Sequence, residues 1–311
     1  MIKRTLYFSN PAKLSMRSGQ LVIESLAEQN GQYKIRFGEF KRENRTVPIE
    51  DIGVVVIDGP QVSFTSSVIS SLLEENVAFI TCDSKHMPTG LMLNLSGNSI
   101  QSERFRKQIE ASLPLKKQLW KQTVEQKIRN QAAVLKFVSG KVSQNMLAWS
   151  NNVRSGDVDN LEGRAAVYYW KNLFPSRPDF LRGQEEAPPN NLLNYGYAIL
   201  RGIIARALVS SGLLPTLGIH HHNRYNAYCL ADDIMEPYRP YVDCLIIDIL
   251  SSYDDVSKLT TDIKKRLLSI PVLDVHIEDH RSPLMVAAST TSASVAKCFE
   301  GSCRRISYPS M

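Results

Sequence analysis

Residues 94–99 read Asn-Leu-Ser-Gly-Asn-Ser, and the pattern of apolar residues differs on the two sides of this stretch. Before it, apolar and β-branched residues recur in short or alternating runs, whereas from Glu103 onward they recur mostly at helical spacing. Small polar residues with a glycine are typical of a connecting segment. The sequence therefore predicts an α+β protein. A small N-terminal β-rich domain, residues 1–95, is joined by a linker, residues 96–102, to a larger all-helical domain, residues 103–311.

Six short segments of the first domain are predicted to be strands, and one helix is predicted between two of them, from Ser63 to Glu75. The turn signals Asn30–Gly31 and Asp58–Gly59–Pro60 separate the strands. The predicted strands are Thr5–Tyr7, Gln20–Ile23, Tyr33–Phe37, Val54–Ile57, Val77–Ile80 and Leu91–Leu95. In the second domain, Leu273–Ile277 alternates well enough to predict a short strand or extended segment.

The composition is that of an ordinary globular protein. At 311 residues and 43% hydrophobic content, the chain can bury one large core or two medium ones. Charged residues make up 22%, which with 16 glycines and 15 prolines excludes the disordered and fibrous classes. Apolar runs such as Val54–Ile57 and Leu245–Ile247 are much shorter than the ~20 residues of a membrane span, and the first residues do not resemble a signal peptide. Five scattered cysteines suit reduced thiols. We therefore expect a cytoplasmic protein with no membrane partner.

The distribution of charge is more informative than the formal net charge of +6. Residues 101–150 contain ten Lys or Arg and three Asp or Glu, in a segment with helical periodicity. The basic residues are Arg104, Arg106, Lys107, Lys116, Lys117, Lys121, Lys127, Arg129, Lys136 and Lys141. A basic helical surface can neutralise phosphates, so nucleic acid is the expected partner. On charge alone, a solvated helix face explains the segment equally well.

Two segments of the helical domain each contain one candidate for the chemistry. In Asn160–Trp170, the acid Glu162 opens an otherwise small and aromatic helix. An acid in a first turn is commonly only a favourable partner for the helix dipole. The segment Gly218–Asn223 holds three of the six histidines. Three adjacent side chains cannot all face one site, so a single imidazole is the expected contribution, unless these histidines only form hydrogen bonds or lie on the surface.

A third segment, Asp232–Pro240, contains two acids that would lie one helical turn apart. If the segment is helical, Asp233 and Glu236 share one face, and their like charges repel. A divalent metal between or beside them would remove that repulsion. Carboxylate and imidazole ligands suit Mg²⁺ or Mn²⁺. Alternatively, Arg239 or a nearby lysine neutralises the pair.

Together these segments carry a family resemblance. They are Glu162 in Asn-Leu-Glu-Gly-x-x-Ala, His221 in Gly-Ile-His-His and the run Asp-Ile-Met-Glu-Pro-Tyr-Arg-Pro-x-Val-Asp, residues 233–243. They resemble the three signature segments of the CRISPR-associated spacer-acquisition integrase, the first-numbered CRISPR-associated protein family, in a type II-like variant. The similarity extends over nearly the whole chain, including residues 81–85, 191–197 and 281–285. Three ordered motifs at family-like separations are far more specific than one short pattern.

The resemblance implies which residues hold a metal ion. The family's metal-binding glutamate, histidine and second acid fall on Glu162, His221 and Glu236, and Asp233 matches a neighbouring acidic position. In the family the histidine lies three residues after a glycine, which from Gly218 selects the second histidine of the triplet. These residues would bind Mg²⁺ or Mn²⁺. The family's fold, a β-rich domain linked to a helical catalytic domain, is the organisation expected here.

The resemblance also implies a function in CRISPR adaptation. A metal-dependent DNA endonuclease/integrase would insert captured DNA fragments into the repeat array by attack of a 3′-hydroxyl on a phosphodiester. The implied partners are double-stranded DNA fragments, CRISPR repeat DNA, a second copy of the chain joined through the β-rich domain, and the small second-numbered CRISPR-associated protein, which would bridge two dimers. The type II effector nuclease is a further candidate partner.

Eight residues are candidates for contact with the nucleic acid: Arg104, Lys116, Lys117, Lys121, Arg164, Tyr195, Tyr197 and Arg201. The cations would hold the backbone, which suits a protein that accepts many sequences. The two tyrosines would stack on bases, although aromatic packing in a helical core is the commoner arrangement. Two other functions stay open: a stand-alone metal-dependent nuclease of DNA repair, and a non-catalytic DNA-binding scaffold of the acquisition complex.

Overall fold

The chain forms two compact units, Met1–Gly97 and Asn98–Met311. The structure is a computed structural model that describes residues 3–25, 28–29, 32–33, 45–183 and 187–311. The first unit contains most of the strands and the second most of the helices, which confirms the predicted α+β class.

The first unit contains ten strands and one helix among its described residues. In chain order they are β1 (Arg4–Phe8), β2 (Ala12–Arg17), β3 (Gln20–Ser25), β4 (Glu28–Gln29), β5 (Gln32–Tyr33), β6 (Arg45–Pro48), β7 (Ile52–Ile57), β8 (Val62–Phe64), α1 (Ser66–Glu74), β9 (Ala78–Cys82) and β10 (Pro88–Met92). The strands predicted at residues 5–7, 20–23 and 54–57 lie inside β1, β3 and β7, and the segment 77–80 overlaps β9. The predictions for residues 30–31 and 34–37 lie outside the described residues.

Three details of this unit differ from the predictions. The last predicted strand, residues 91–95, begins three residues earlier and ends at Met92. The predicted helix starts later, at Ser66, because Val62–Phe64 pairs in parallel with β2. Strand β2 was not predicted, although Ala12 and Leu14 alternate toward the core.

Two four-stranded sheets, ordered β1-β7-β9-β10 and β6-β3-β2-β8, build the unit. Strand β7 pairs in parallel with β1 and β9 and is buried along its whole length, which explains its unbroken apolar sequence. Strands β2 and β3 form a hairpin whose turn residues, Ser18 and Gly19, both have positive φ, 49° and 73°. Side chains including Leu14, Ile52 and Phe79 fill one apolar core.

The second unit contains nine helices and one β-hairpin among its described residues. They are α2 (Gln101–Ile109), α3 (Leu113–Ser139), α4 (Gln144–Asn151), α5 (Leu161–Leu173), α6 (Asn190–Ser210), α7 (Cys229–Met235), α8 (Arg239–Ser252), α9 (Thr261–Leu267), β11 (Asp274–Ile277), β12 (His280–Pro283) and α10 (Leu284–Glu300). Helix α2 begins inside the predicted linker. The hairpin β11–β12 includes the strand predicted near residues 273–277, so this unit is mainly helical rather than all-helical.

Helices α3 and α6 are the two longest and form much of the core. Helix α3 begins after Ser112, whose side chain accepts a hydrogen bond from the Leu115 amide at 3.4 Å, and it ends at Gly140, where φ is 70°. It packs against α4, α5 and α8. Helix α6 has the length and composition of a membrane span, but 78% of its most apolar 18-residue stretch is buried inside the protein. It is therefore the core helix of a folded domain.

Candidate active site

The position of Glu162 is fixed by the capped start of α5. The Asp157 carboxylate accepts hydrogen bonds from the amides of Leu161, at 2.9 Å, and Glu162, at 3.0 Å. The Asn160 side chain accepts a third, from Gly163 at 3.2 Å. Asp157 and Asn160 have φ of 50° and 52°, a left-handed conformation that Asp and Asn tolerate better than most residues. These contacts satisfy the free amides of the first turn and fix the backbone from which Glu162 projects.

Glu236 opens the short 3₁₀ segment Glu236–Tyr238, which separates α7 from α8. Its carboxylate is buried, with Oε1 3.1 Å from Arg239 Nε and Oε2 2.5 Å from Lys127 Nζ. Burial opposes ionisation, but Arg239 and Lys127 hold the pKa of Glu236 below its usual value. The repulsion expected between Asp233 and Glu236 is thus relieved by an arginine and a lysine, the alternative left open by the sequence.

Asp233 organises the turn that carries the histidines. It is fully buried, and its Oδ2 accepts hydrogen bonds from the amides of Ile219, at 2.7 Å, and His220, at 2.9 Å. Its Oδ1 accepts from the His221 amide at 3.2 Å and lies 2.5 Å from His221 Nδ1. A Cβ on Gly218 would lie 2.3 Å from the His221 carbonyl oxygen, so only glycine fits there. Both oxygens of Asp233 are therefore occupied by the turn and its imidazole.

The carboxylate of Asp233 also fixes the state of the His221 ring. Donation from Nδ1–H to Asp233 leaves the lone pair of Nε2 for a ligand, an arrangement typical of metal-binding histidines. The same hydrogen bond raises the pKa of His221 above its usual value, against the opposing effect of burial. The structure therefore distinguishes His221 from its neighbours.

The other two histidines have different surroundings. The His220 ring stacks on Trp120, with centroids 4.1 Å apart and planes 2° apart, and burial lowers its pKa. His222 is exposed. His221 meets the edge of the same tryptophan at 5.7 Å. The three side chains thus do not share one site, as the sequence predicted.

Lys127 lies between the two glutamates. The sequence predicted that this lysine lies on the basic surface that would face a nucleic acid. Its Nζ contacts Glu162 Oε1 as well as Glu236 Oε2. The side chain is 10% exposed, although Lys127 was counted among the basic residues facing a nucleic acid. Burial lowers the pKa of Lys127, but Glu236 and Glu162 together hold it above its usual value. Its position between Val124 and Ile128, on the apolar face of α3, was the sequence signal for a buried, paired lysine.

The donor set suits a divalent cation, although the predicted ligands are not all assembled. Glu162 and Glu236 converge on one positive charge, and no described residue gives Glu236 Oε2 a hydrogen bond of normal geometry despite the close ion pair. Two carboxylates and an imidazole are ligands that Mg²⁺ and Mn²⁺ accept. Within the described ranges, however, no group of three or more His, Cys, Asp or Glu is close enough to hold an ion. The structure thus brings together two of the three predicted ligands, while His221 is held by Asp233.

A buried hydrogen-bond network near Glu236 contains Asp243 and two tyrosines. Tyr169 and Tyr197 donate hydrogen bonds to the two oxygens of Asp243, at 2.7 Å and 2.5 Å. Burial raises the pKa of Asp243 to about 6, and the two hydroxyls oppose that rise. Arg239 lies 4.7 Å from the centre of the Tyr197 ring while it pairs with Glu236. Tyr197 and the fully buried Tyr195 belong to the core, which corrects their predicted role in stacking on DNA.

Some of the cations predicted to bind DNA are paired with acidic groups of the protein, and others are exposed. Arg104 pairs with Glu300 at 2.8 Å and donates to the Ser211 carbonyl at 3.0 Å, so its role is structural and the predicted DNA contact is corrected. Arg201 forms a two-point ion pair with Asp232. Lys117 and Arg164 are exposed, Lys116 is half-buried, and Lys121 lies 3.6 Å from Glu125. The exposed pair is the better candidate for phosphate contact.

Comparison with known proteins agrees with this architecture. Residues 6–259 match the family described as "CRISPR associated protein Cas1". The "CRISPR-associated endonuclease Cas1" of Neisseria meningitidis serogroup C is 34% identical over 311 residues, covering 99% of this chain and 96% of that protein. The fold and the sequence therefore define a CRISPR-associated protein.

Two solved structures have the same fold at lower identity. A casposase bound to integration product gives a TM-score of 0.76 at 20% identity, covering 98% of this chain and 92% of that one. A Cas6-RT-Cas1–Cas2 complex gives a TM-score of 0.70 at 18% identity, covering 98% of this chain and 36% of that one. With the family match and the Neisseria relative, the conclusion is specific: this chain belongs to the Cas1 family, which confirms the resemblance seen in the sequence.

Proposed function

We propose that the protein is a metal-dependent DNA endonuclease/integrase of CRISPR adaptation, which inserts captured DNA fragments into a repeat array. Its relative in Neisseria is named an endonuclease, and the casposase of similar fold was solved with an integration product. The observation that carries the proposal is the convergence of Glu162 and Glu236 on one buried cation. Two acidic side chains that lie far apart in the sequence repel each other when folding brings them together, and a shared cation removes that repulsion.

Each residue has a defined part in this proposal. Glu162, His221 and Glu236 would hold Mg²⁺ or Mn²⁺ through carboxylate oxygens and Nε2. Asp233 is a positioning residue, because its oxygens already bind the histidine turn. A bound ion would supply activation of a hydroxyl and stabilisation of charge on the phosphate. Arg239 keeps Glu236 ionised in a buried place.

The reaction is phosphoryl transfer between DNA strands. The 3′-hydroxyl of a captured fragment attacks a phosphodiester at the border of a repeat; the new phosphodiester forms as the old P–O bond breaks, and a second attack on the other strand completes insertion. With water in place of the hydroxyl, the same site acts as an endonuclease. Exposed Lys117 and Arg164, with Lys116 and Lys121 on α3, hold the backbone without reading sequence.

The proposed assembly follows from the family. The chain would form a homodimer through its β-rich unit, and a small Cas2 protein would bridge two dimers. Its similarity to a chain of a Cas6-RT-Cas1–Cas2 complex supports this partnership. Double-stranded DNA fragments, repeat DNA and the type II effector nuclease complete the proposed partners, and the proposed location is the cytoplasm.

The nucleophile distinguishes an integrase from a stand-alone nuclease. The experiment mixes the protein and its Cas2 partner with Mn²⁺ or Mg²⁺, a supercoiled plasmid that bears a repeat array, and short duplexes ending in 3′-hydroxyl or 3′-dideoxy nucleotides. Covalent duplex–plasmid products are expected only from the hydroxyl form, at repeat borders, because only that form carries the nucleophile. Glu236→Gln is expected to give none. Nicking that ignores the 3′ end, without any covalent product, would establish the nuclease instead.

A further inference from the structure

Lys127 occupies the place where the two proposed glutamate ligands meet. Its ammonium contacts Glu162 and lies 2.5 Å from Glu236, and the side chain is 10% exposed. The two acids would repel each other in a largely dry site if this cation were removed. One lysine therefore holds both carboxylates close together in the metal-free protein.

The backbone around this contact is anchored. Asn130, three residues further along α3, donates to the carbonyl of Pro237 at 2.7 Å and of Pro309 at 3.0 Å. The first of these bonds ties α3 to the segment that begins with Glu236. The helix cannot retreat from Glu236 without breaking it, so any rearrangement must come from the flexible four-carbon stem of Lys127. Glu162 is 28% exposed, which leaves an edge of the site open to solvent.

The charges of the site determine what a second cation must do. Glu162 and Glu236 are already balanced by Lys127 and Arg239. A divalent ion that binds the same carboxylate oxygens would lie beside the ammonium of Lys127, and two cations at contact distance in a partly buried site repel strongly. The ion and the ammonium therefore compete for one position.

We infer that Lys127 is a positioning residue that holds Glu162 and Glu236 close to one another in the metal-free protein, and that its displacement sets the affinity for the divalent ion. The inference rests on the proposed function, since it takes the two glutamates as ligands. Lys127 is thus a competitor built into the site: it stabilises the carboxylate pair before the ion arrives and weakens the binding of that ion.

The test measures Mn²⁺ affinity of the full-length protein by calorimetry and by electron paramagnetic resonance of free Mn²⁺. Lys127→Met is expected to tighten Mn²⁺ binding by roughly tenfold, because one competing unit charge at contact distance is lost. Lys127→Gln, which keeps a polar side chain without the charge, should shift affinity in the same direction, whereas Lys127→Arg should stay near the wild-type value. Lys265→Met removes an exposed lysine that pairs with Asp262 on α9; it is the control and should leave Mn²⁺ affinity unchanged.

A second readout separates competition from a purely structural ion pair. Without metal, Lys127→Met is expected to melt at a lower temperature than the wild type, and Mn²⁺ should raise its melting temperature by more. Folded Lys127→Met and Lys127→Gln proteins with unchanged or weaker Mn²⁺ affinity would overturn the inference alone, provided that Glu236→Gln weakens binding. If the wild type binds no Mn²⁺, or Glu236→Gln binds as well as the wild type, the proposed metal site fails and the inference fails with it.

Discussion

At the scale of single residues, the site depends on buried charges whose partners are fixed. Asp233 holds the backbone of the histidine turn and the ring of His221, so one carboxylate decides which of three adjacent imidazoles can act. Arg239 and Lys127 act on Glu236, because they hold its pKa below the usual value and so keep the carboxylate ionised. Removal of Asp233, or of the cations that pair with Glu236, should therefore affect the reaction at the site more than the fold of the chain.

The first prediction concerns the proposed ligands. Glu162→Gln, His221→Ala and Glu236→Gln should each abolish Mn²⁺-dependent strand joining, because each removes one ligand. Asp233→Asn should lower joining by roughly 10- to 100-fold, the usual cost of losing the partner that orients a histidine ligand. Gel assays of joining, with circular dichroism to check folding, measure both.

His222→Ala is the control for the first prediction, because this side chain is exposed and next to the proposed ligand in sequence. It should retain wild-type joining. Loss of joining in His222→Ala with full activity in His221→Ala would move the ligand to the other histidine.

The second prediction concerns Asp243, whose pKa is raised from 3.8 to about 6 by burial. Between these values the folded state binds more protons than the unfolded state, so stability falls as pH rises through this window, and the whole penalty is present above it. Relative to Asp243→Asn, the wild type should lose about 3 kcal/mol of unfolding free energy between pH 3.5 and 7, since one pKa unit corresponds to about 1.4 kcal/mol. Urea unfolding at several pH values measures the difference. Parallel curves for the two proteins would contradict it.

At the scale of elements, the ends and faces of helices position the chemistry. Helix α5 begins at a turn in which Asp157 and Asn160 together accept three amide hydrogen bonds, and Glu162 follows immediately. Helix α3 contributes Lys127 from its apolar side and Lys117 from its exposed side. A single helix thus serves both the site and the proposed DNA surface.

The third prediction tests the cap of α5. Asp157→Ala should lower the free energy of unfolding by roughly 1 to 2 kcal/mol, since two amides in the first turn lose their acceptor. Joining activity should fall as well, because the backbone under Glu162 is released. Asp159→Ala removes an exposed carboxylate paired with Arg154 and should change neither quantity appreciably. Equal stability of the two variants would show that the cap is not needed.

The fourth prediction concerns the exposed cations. Charge reversal in a Lys117→Glu, Arg164→Glu double variant should flatten the slope of log affinity against log salt by roughly one unit per lost phosphate contact. Fluorescence anisotropy with a labelled duplex at increasing salt measures the slope. Lys265→Glu changes an exposed lysine on α9 and should leave the slope unchanged. An unaltered slope in the double variant would place the DNA on another surface.

At the scale of the whole molecule, the proposed metal site and the proposed dimer interface lie in different units. The helical unit contains every proposed ligand. Among its described residues, the β-rich unit contains two four-stranded sheets with strands β1, β6, β8 and β10 at their edges. Unpaired strand edges are surfaces on which a second chain can add. This arrangement supports the proposal that the β-rich unit joins two copies of the protein.

The fifth prediction is that the protein is a dimer at micromolar concentration. Light scattering should give twice the chain mass of 35.0 kDa. Met92→Lys, at an exposed apolar position on the edge strand β10, should weaken the dimer, since a charge at an edge opposes pairing. Val286→Lys, at a similarly exposed position on α10, is the control. A monomeric mass for the wild type would contradict the assignment.

Several features of this protein follow from its sequence alone. Alternation and apolar runs indicated β1, β3 and β7, and the change in the pattern of apolar residues near residue 100 indicated a β-rich part and a helical part. The motifs around Glu162, His221 and Glu236 identified the family. These are local signals: a period of two or 3.6 residues, or a short motif, is complete within a few turns of chain, so no long-range contact is needed to see it.

Only the tertiary structure decided which side chains meet and which are buried. Lys127 looked like one more surface cation, Arg104 like a phosphate ligand and Tyr195 like a stacking residue, and all three are interior or structural. Such assignments depend on partners distant in the sequence, because burial makes an unpaired charge costly and so selects the pairs that packing brings together. For the same reason, the convergence of Glu162 and Glu236 on one cation could be seen only in the folded chain.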